Sequence, residues 1–274
     1  MALHDIDCID NRDEATVARA IEALERPLFR YFRPVIRGID RIGSGPALYV
    51  GNHNAGFLTP DTFTFAIAAY RAHGIDAVPH GLGHEIAIRL PPLHGPLARL
   101  GAVRASHDNA RRLFARGHKV LVYPGSDLDS FRSFRDRNRV IFGKRRGYVR
   151  LALREGVPII PVVTAGAQST WLVLSDGRWI AKALGLDRIL RTKAWPVVIS
   201  IPWGLTIGPP PPHFPFPSQL FQEVLEPIRF ERSGPDAAAD ADYVEQCHIQ
   251  VHGVMQSTLT RLAAERAKGL GWTW

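Results

Sequence analysis

The chain contains only two cysteines in 274 residues, Cys8 and Cys247, and they lie far apart in the sequence. This scarcity excludes a disulfide framework and favours a reducing compartment. The sequence also lacks an Asn-x-Ser/Thr glycosylation site, and its acidic, polar N-terminus differs from a secretory signal. We therefore expect a cytoplasmic protein.

Long apolar runs are also absent. No stretch reaches the roughly 18–20 apolar residues that a membrane-spanning helix needs. The two most apolar segments, VPIIPVVTAGA (157–167) and PVVISIPWGLTIG (196–208), are short and contain proline, so they are predicted to be buried strands. With 46% hydrophobic and 22% charged residues, the chain can build a substantial core. A soluble or peripherally bound protein is expected.

Acidic residues are outnumbered by basic ones, which gives a net charge of +8. Such a chain favours anionic partners: nucleic acid, anionic lipid headgroups or phosphorylated ligands. The densest basic stretch, residues 135–146, is not interleaved with aromatic side chains in the manner of an RNA-binding platform. Lipid or phosphorylated ligands are therefore favoured over nucleic acid.

Predicted strands alternate with predicted helices through the first two thirds of the chain. Strands are predicted at 47–51, 118–124 and 157–166, and helices at 60–73, 107–117 and 147–156. This alternation predicts an α/β fold: a single-domain αβ sandwich with a central, largely buried mixed sheet flanked by helices. A proline-rich connector at 209–218, a flexible hinge at 233–240 and a C-terminal helix at 240–268 complete a domain that spans 45–274.

Residues 1–44 are predicted to form an N-terminal amphipathic helical segment, broken by Pro27 and Pro34. Its second piece, PLFRYFRPVIRGIDR (27–41), interleaves large apolar side chains with arginines. That pattern suits a helix lying on an anionic membrane surface. It suits equally well a helix packed on the domain with its arginines in water.

The segment VGNHNAGFLTPDTF (50–63) places two titratable side chains directly after a strand. His53 follows the strand, and Asp61 stands at the start of the next helix. A histidine there can act as a general base if a carboxylate orients its ring. Alternatively, Asp61 caps the helix and His53 is an ordinary loop residue.

A second strand end, VLVYPGSDLDSFRS (120–133), carries a Pro-Gly-Ser turn followed by Asp127, Asp129 and Arg132. Small residues in such a turn let a substrate approach the backbone. The Asp-x-Asp spacing also occurs in metal-dependent glycosyltransferases, and an ordinary solvated turn is a further alternative. His80, His84 and His94 lack the spacing of a zinc site, so no metal is predicted.

Four segments taken in order resemble the conserved blocks of the glycerolipid (lysophospholipid) acyltransferases. They are NHNAGFLTPD, GAVRASHDNARRLFARG, VLVYPGSDLDSFR and GYVRLALREGVPIIPV, and they cover roughly residues 45–168. The third block resembles the branch that includes diacylglycerol acyltransferase-like proteins. Seven residues separate His53 from Asp61, whereas four are usual in the family.

The resemblance implies acyl transfer from acyl-CoA, or an acyl carrier protein, to a hydroxyl of a lysophospholipid, lysophosphatidate or diacylglycerol, without a bound cofactor. His53 would be the general base and Asp61 would orient it. The enzyme would bind peripherally to the cytoplasmic face of an anionic membrane. Residues expected to contact substrate are Asn52, Arg104, Tyr123, Pro124, Gly125, Ser126, Asp127, Asp129, Arg132, Lys144, Arg145 and Arg146. A hydrolase or thioesterase with the same dyad, and a non-catalytic basic lipid-binding protein, are the alternatives.

Overall fold

A computed structural model describes residues 4–53, 59–91, 93–186, 194–208 and 213–270. The described strands form one seven-stranded sheet and one three-stranded sheet. The strands are β1 (Val35–Arg37), β2 (Ala47–Gly51), β3 (His80–Gly83), β4 (Ala102–Arg104), β5 (Lys119–Val122), β6 (Ile159–Ala165), β7 (Leu172–Ser175), β8 (Val197–Ser200), β9 (Gly204–Ile207) and β10 (Phe221–Val224).

The helices surround the large sheet on both faces. They are α1 (Glu14–Phe32), α2 (Pro60–His73), α3 (Glu85–Arg89), α4 (His94–Arg99), α5 (His107–Ala115), α6 (Ser126–Ser130), α7 (Gly147–Glu155), α8 (Arg178–Ala183), α9 (Pro235–Ala239) and α10 (Ala241–Leu270). Short 3-10 turns lie between several of these elements. The predicted fold class, a mixed sheet sandwiched between helices, is confirmed.

The large sheet has the strand order β1-β10-β6-β2-β5-β3-β4. The five strands from β6 to β4 run parallel, whereas β10 is antiparallel to β6. β2 lies at the centre, and all five of its residues are buried. Leu48 and Val50 pack with α5, α7 and α10, whereas Ala47 and Tyr49 pack with α2. A strand covered on both faces must be apolar on both, which explains its uninterrupted hydrophobic run.

The N-terminal segment differs from the prediction in two ways. α1 runs through Pro27 without a break, because Pro27 and Ala23 lie on the exposed side, where water can bond the Ala23 carbonyl that loses its helical partner. The helix ends at Phe32, with Arg33 in the left-handed conformation at φ 42°. The next residues form β1, which pairs with β10 rather than extending a surface helix.

The apolar face of α1 packs against the domain. Val17 and Ile21 are buried in a cluster with Ile67 of α2, and Leu28 and Phe29 pack partly against the same cluster. This packing corresponds to the second alternative that the sequence left open, a helix seated on the domain. Membrane contact by residues 27–41 stays a prediction.

Three further segments differ from expectation. Residues 196–208 are a β8–β9 hairpin whose outer side chains are exposed, not one buried strand. Residues 233–240 are not a hinge, because α9 buries Ala237 and Ala238 against the core. The predicted connector lies partly outside the described residues, at 209–212, and its His213 stacks on Trp171 at a ring-centroid distance of 5.0 Å.

The C-terminal helix α10 agrees with its prediction to within a few residues. Its inner side chains are fully or almost fully buried in the main core, and they include Val244, Cys247, Val251, Met255, Leu259 and Leu262. No helix in the described ranges is both long and apolar enough to cross a membrane.

Candidate active site

The candidate site forms at the carboxyl end of β2, and Asn52 fixes this end of the strand. The Asn52 side chain is 1% exposed. Its Nδ2 donates to the Thr164 carbonyl at 3.0 Å, and its Oδ1 accepts from the Thr164 N–H at 2.9 Å. The amide of this predicted substrate-binding residue therefore ties β2 to β6. Ligand sites of open α/β sheets form at such strand ends.

The backbone of His53 is held from both sides by two side chains of the third sequence block. The Asp129 carboxylate accepts the His53 N–H at 2.6 Å, and Arg132 donates to the His53 carbonyl at 2.9 Å. Asp129 and Arg132 also pair with each other at 2.6 Å, with side chains 0% and 1% exposed. A buried, well-bonded ion pair has little freedom to move. The pair therefore positions His53, and Arg132 is too deeply buried to bind a phosphate group.

The turn around Gly125 brings Asp129 into place. A Cβ on Gly125 would overlap the Asp129 side chain and the carbonyl of Ile141. The N–H of Ile141 donates to Asp129 Oδ1 at 3.2 Å, which completes the bonding of that carboxylate. Ser126 adopts a φ of 47°, and its N–H closes the turn on the Tyr123 carbonyl at 3.2 Å. Glycine is needed here for close backbone packing.

Asp61 lies in the first turn of α2 and is 2% exposed. Burial raises the pKa of Asp61 to about 7, and the nearby charge of Asp129 acts in the same direction; backbone N–H groups and Arg132 lower it less. One carboxylate oxygen, Oδ1, has no hydrogen-bond partner within the described residues. An unsatisfied buried oxygen is costly, and such groups concentrate at functional sites.

Tyr123 contacts the surroundings of both predicted dyad residues. Its ring centroid lies 4.8 Å from that of His53. Its hydroxyl lies 2.5 Å from Oγ1 of Thr62, the residue after Asp61. Burial and the Asp61 carboxylate both raise the pKa of Tyr123. The structure thus places Tyr123 against the ring of His53 and against Thr62, the residue after Asp61, while residues 54–58 of the connection between His53 and Asp61 lie outside the described part.

The predicted basic residues after α6 are mostly engaged. Arg145 pairs with Asp127 at 2.7 Å. Arg146 forms a bidentate pair with Glu245 at 2.6 and 2.9 Å. Lys144 is exposed, and within the described ranges it forms no ion pair. The Asp-x-Asp motif also differs from a metal site, because Asp127 and Asp129 each pair with a different arginine.

Arg104, which was predicted to contact substrate, lies farther away. It ends β4, three strand positions from β2, or about 14 Å across the sheet. Its guanidinium binds Asp7 at 2.8 and 2.5 Å. Asn109 donates to the same carboxylate at 2.8 Å. Arg104 therefore attaches the N-terminal segment to the sheet edge.

Sequence reasoning missed one residue that supports the site, Gln222 of β10. Its Nε2 donates to the Asp61 carbonyl at 2.9 Å and to Thr164 Oγ1 at 3.0 Å. Its Oε1 accepts from Thr64 at 3.2 Å. A polar residue inside the buried strand FQEV was the available signal. Gln222 couples the start of α2 to the strand end that Asn52 fixes.

Comparison with known proteins agrees with this architecture. A family model described as Acyltransferase matches residues 33–165. An uncharacterized protein of Mycobacterium tuberculosis is 30% identical over 250 residues, which cover 89% of this chain and 67% of that protein. Human diacylglycerol O-acyltransferase 2 is 28% identical over 102 residues, which are 34% of this chain and 26% of that enzyme.

A solved structure shares the fold. The 1-acyl-sn-glycerophosphate acyltransferase of Thermotoga maritima aligns with a TM-score of 0.51 and 16% identity, covering 90% of this chain and 83% of that one. Fold, family model and relatives agree with the resemblance that the four sequence blocks carry. The chain belongs to the acyltransferase family that contains the glycerolipid acyltransferases.

Proposed function

We propose that the protein transfers a fatty acyl group from acyl-CoA to the hydroxyl of a lipid acceptor, with His53 as general base. The imidazole of His53 takes the proton of the acceptor hydroxyl while that oxygen bonds to the thioester carbonyl carbon. The tetrahedral intermediate then expels the thiolate of coenzyme A, which receives the proton from the imidazolium. The products are an acyl ester and the free thiol. Positioned proton transfer of this kind contributes about 10²–10⁴-fold to the rate.

The buried Asp61 carboxylate carries the proposal. Its Oδ1 lacks a partner within the described residues and lies near the tyrosine that contacts His53. A carboxylate in this position can accept the imidazole N–H, select its tautomer and stabilise the imidazolium. Asp129 and Arg132 supply the second requirement, because they restrict the backbone from which the His53 ring projects.

The acceptor we favour is uncharged at the reacting end, as in diacylglycerol. The arginines nearest to the site are occupied by Asp129, Asp127 and Glu245, so a phosphate headgroup would have to displace one of these partners. The partial similarity to diacylglycerol O-acyltransferase 2 points the same way. Lysophosphatidate and other lysophospholipids are the competing acceptors. Lys144, which is exposed and forms no ion pair within the described ranges, is the side chain best placed to bind coenzyme A phosphates.

The test uses purified protein, radiolabelled long-chain acyl-CoA, and diacylglycerol, lysophosphatidate, a second lysophospholipid and a long-chain alcohol as separate acceptors. Thin-layer chromatography separates the products. We expect a labelled triacylglycerol as the main product. Label found only in free fatty acid would refute the transferase and establish a hydrolase.

The His53→Ala variant should lose about 10²–10⁴-fold in turnover because the general base is gone. Its thermal unfolding should stay close to that of the wild type, since the bonds that Asp129 and Arg132 form with the backbone of residue 53 survive the substitution. His118→Ala is the matched control, because His118 precedes β5 at the opposite end of the sheet. Wild-type turnover by His53→Ala would exclude the proposed mechanism.

A further inference from the structure

The three-stranded sheet has an inner face that packs on the domain. β7 and β8 pair antiparallel, and β8 pairs antiparallel with β9. Val173 and Val198 are cross-strand partners, and both lie in a buried cluster with Phe131 and Trp171. This face of the sheet is therefore a small hydrophobic core of its own.

The outer face of the same sheet is also apolar. Ile199 pairs with Leu172 on one side and with Leu205 on the other, and Val197 pairs with Ile207. Cross-strand partners project from the same face of a sheet. Leu205 and Ile207 are 65% and 67% exposed. An antiparallel sheet normally carries polar side chains on a face that is open to solvent. The outer face of this sheet carries apolar side chains instead.

Exposed apolar side chains continue beyond the strands. Trp203, in the turn between β8 and β9, is 50% exposed, and Trp179 and Leu184 in and after α8 are 69% and 58% exposed. Of the thirteen large hydrophobic residues that are exposed in the described ranges, eight fall between positions 174 and 214. We call Trp179, Leu184, Trp203, Leu205 and Ile207 the hairpin surface. Exposed apolar side chains are thus enriched in this stretch of the sequence, and contiguous apolar exposure marks interaction sites.

The hairpin surface belongs to a unit attached to the candidate active site. Trp171, which precedes β7, packs against Phe131 at a ring-centroid distance of 6.0 Å. Gln168 donates to the Arg132 carbonyl at 3.0 Å. Phe131 and Arg132 belong to the loop that positions His53. A partner bound to the hairpin surface would therefore lie at the end of the large sheet where His53 is found.

The chemistry of this surface favours a lipid bilayer. Tryptophan is enriched where apolar and hydrated layers meet, because its ring is apolar and its N–H is polar. Residues 171–186 and 194–208 contain only three charged side chains: Asp176, Arg178 and Lys182. Asp176 and Arg178 neutralise each other in an ion pair at 2.7 Å. The remaining charge, Lys182, is positive and exposed, which complements anionic headgroups.

We propose that the hairpin surface docks the protein onto an anionic membrane, with Trp179 and Trp203 at the level of the lipid headgroups. The biological role of this docking rests on the proposed function, since docking here would bring an acceptor dissolved in the membrane to His53. The proposal assigns membrane contact to the β8–β9 hairpin and α8, not to the arginine-rich segment 27–41. The docking itself is measurable without any acyl transfer.

The test measures co-sedimentation of the full chain with vesicles of phosphatidylglycerol and phosphatidylcholine. The variant Trp203→Ser/Leu205→Ser/Ile207→Ser should bind at least about tenfold more weakly, because binding scales with the apolar area inserted. Ile249→Ser is the matched control, since Ile249 is 62% exposed on α10. Arg30→Gln/Arg33→Gln tests the competing N-terminal segment. Vesicles with brominated lipids should quench wild-type tryptophan fluorescence, and quenching should fall in Trp179→Phe/Trp203→Phe.

Three results would overturn the proposal. They are full vesicle binding by the hairpin variant, no vesicle binding by the wild type, and a dimer that the wild type forms and the hairpin variant does not. The last would make a second copy of the chain the occupant. Turnover separates this proposal from the proposed function. On a short-chain, water-soluble acceptor the hairpin variant should equal the wild type, and only its turnover on vesicle-bound acceptor should fall.

Discussion

The two described sheets both present apolar side chains on both faces, yet they are used differently. The central strand β2 of the large sheet is covered by helices on each side, and its five residues are buried. The three-stranded sheet is covered on one side only, and Leu205 and Ile207 on its other side are largely exposed. The same hydrophobic pattern therefore makes a core in one sheet and a candidate docking surface in the other. Coverage by neighbouring elements, not strand composition, makes the difference.

A second contrast lies between two buried carboxylates of the candidate site, Asp129 of α6 and Asp61 of α2. Asp129 accepts bonds from His53, Arg132 and Ile141, so its buried charge is compensated. Asp61 is equally buried, but one of its oxygens has no partner in the described part of the chain, and its pKa is raised to about 7. The first carboxylate is built to hold structure, and the second is available for chemistry.

The largest loss of stability is expected for a substitution of Asp129, the carboxylate whose buried charge is compensated. Asp129→Asn leaves the Arg132 charge buried without a counter-charge, so it should lower the free energy of unfolding by about 3–5 kcal/mol. Asp127→Asn is the matched control, because the Asp127–Arg145 pair is partly exposed and should cost only about 0–1 kcal/mol. Urea denaturation measures both. Equal losses would mean that burial does not distinguish the two pairs.

Asp61→Asn tests the uncompensated carboxylate through pH. The folded pKa of Asp61, about 7, lies above its ordinary value of 3.8. The folded state therefore holds this proton more tightly, and the resulting stability is present below about pH 4 and lost as pH rises to about 7. The asparagine of the variant does not ionise, so the variant does not lose stability as the pH rises from about 4 to about 7. Relative to the wild type, its free energy of unfolding should therefore increase over this pH range, by a few kcal/mol at most.

The activity of the same variant should move in the opposite direction. In the proposed mechanism an ionised Asp61 carboxylate orients the imidazole, so wild-type turnover should fall below about pH 7. Asp61→Asn should have low turnover at every pH. If Asp61→Asn were fully active and less stable than the wild type at pH 7, the role of Asp61 would be helix capping and not catalysis.

The smallest effect compares the two faces of the three-stranded sheet. Val198→Ala removes methyl groups from a fully buried side chain and should cost about 2 kcal/mol. Leu205→Ala acts on the open face and should change stability by less than about 0.5 kcal/mol. Thermal unfolding of the two variants measures the difference. A similar cost at both positions would show that something covers the outer face in solution.

Local sequence patterns were enough to predict the three central strands of the large sheet, β6, β2 and β5. The apolar run ALYVG coincides with β2, and the glycines after α5 and α7 adopt positive φ near the ends of those helices. The four sequence blocks indicated the family because their order and spacing are carried by one continuous stretch. The break at Pro27 was wrong because a proline interrupts a helix only where its lost hydrogen bond has no substitute, and α1 exposes that side to water.

The sequence by itself determined the strands β2, β5 and β6, the family resemblance and the candidacy of His53 and Asp61, because each depends on residues close together in the chain. Asp127 and Asp129 belong to one Asp-Leu-Asp motif, and only the tertiary structure showed that their roles differ. Asp129 is buried and supports the backbone of His53, whereas Asp127 forms a partly exposed ion pair with Arg145. The tertiary structure also brought Gln222 to Asp61 and left one face of the hairpin open. Burial and pairing depend on elements distant in sequence, so no local pattern reports them.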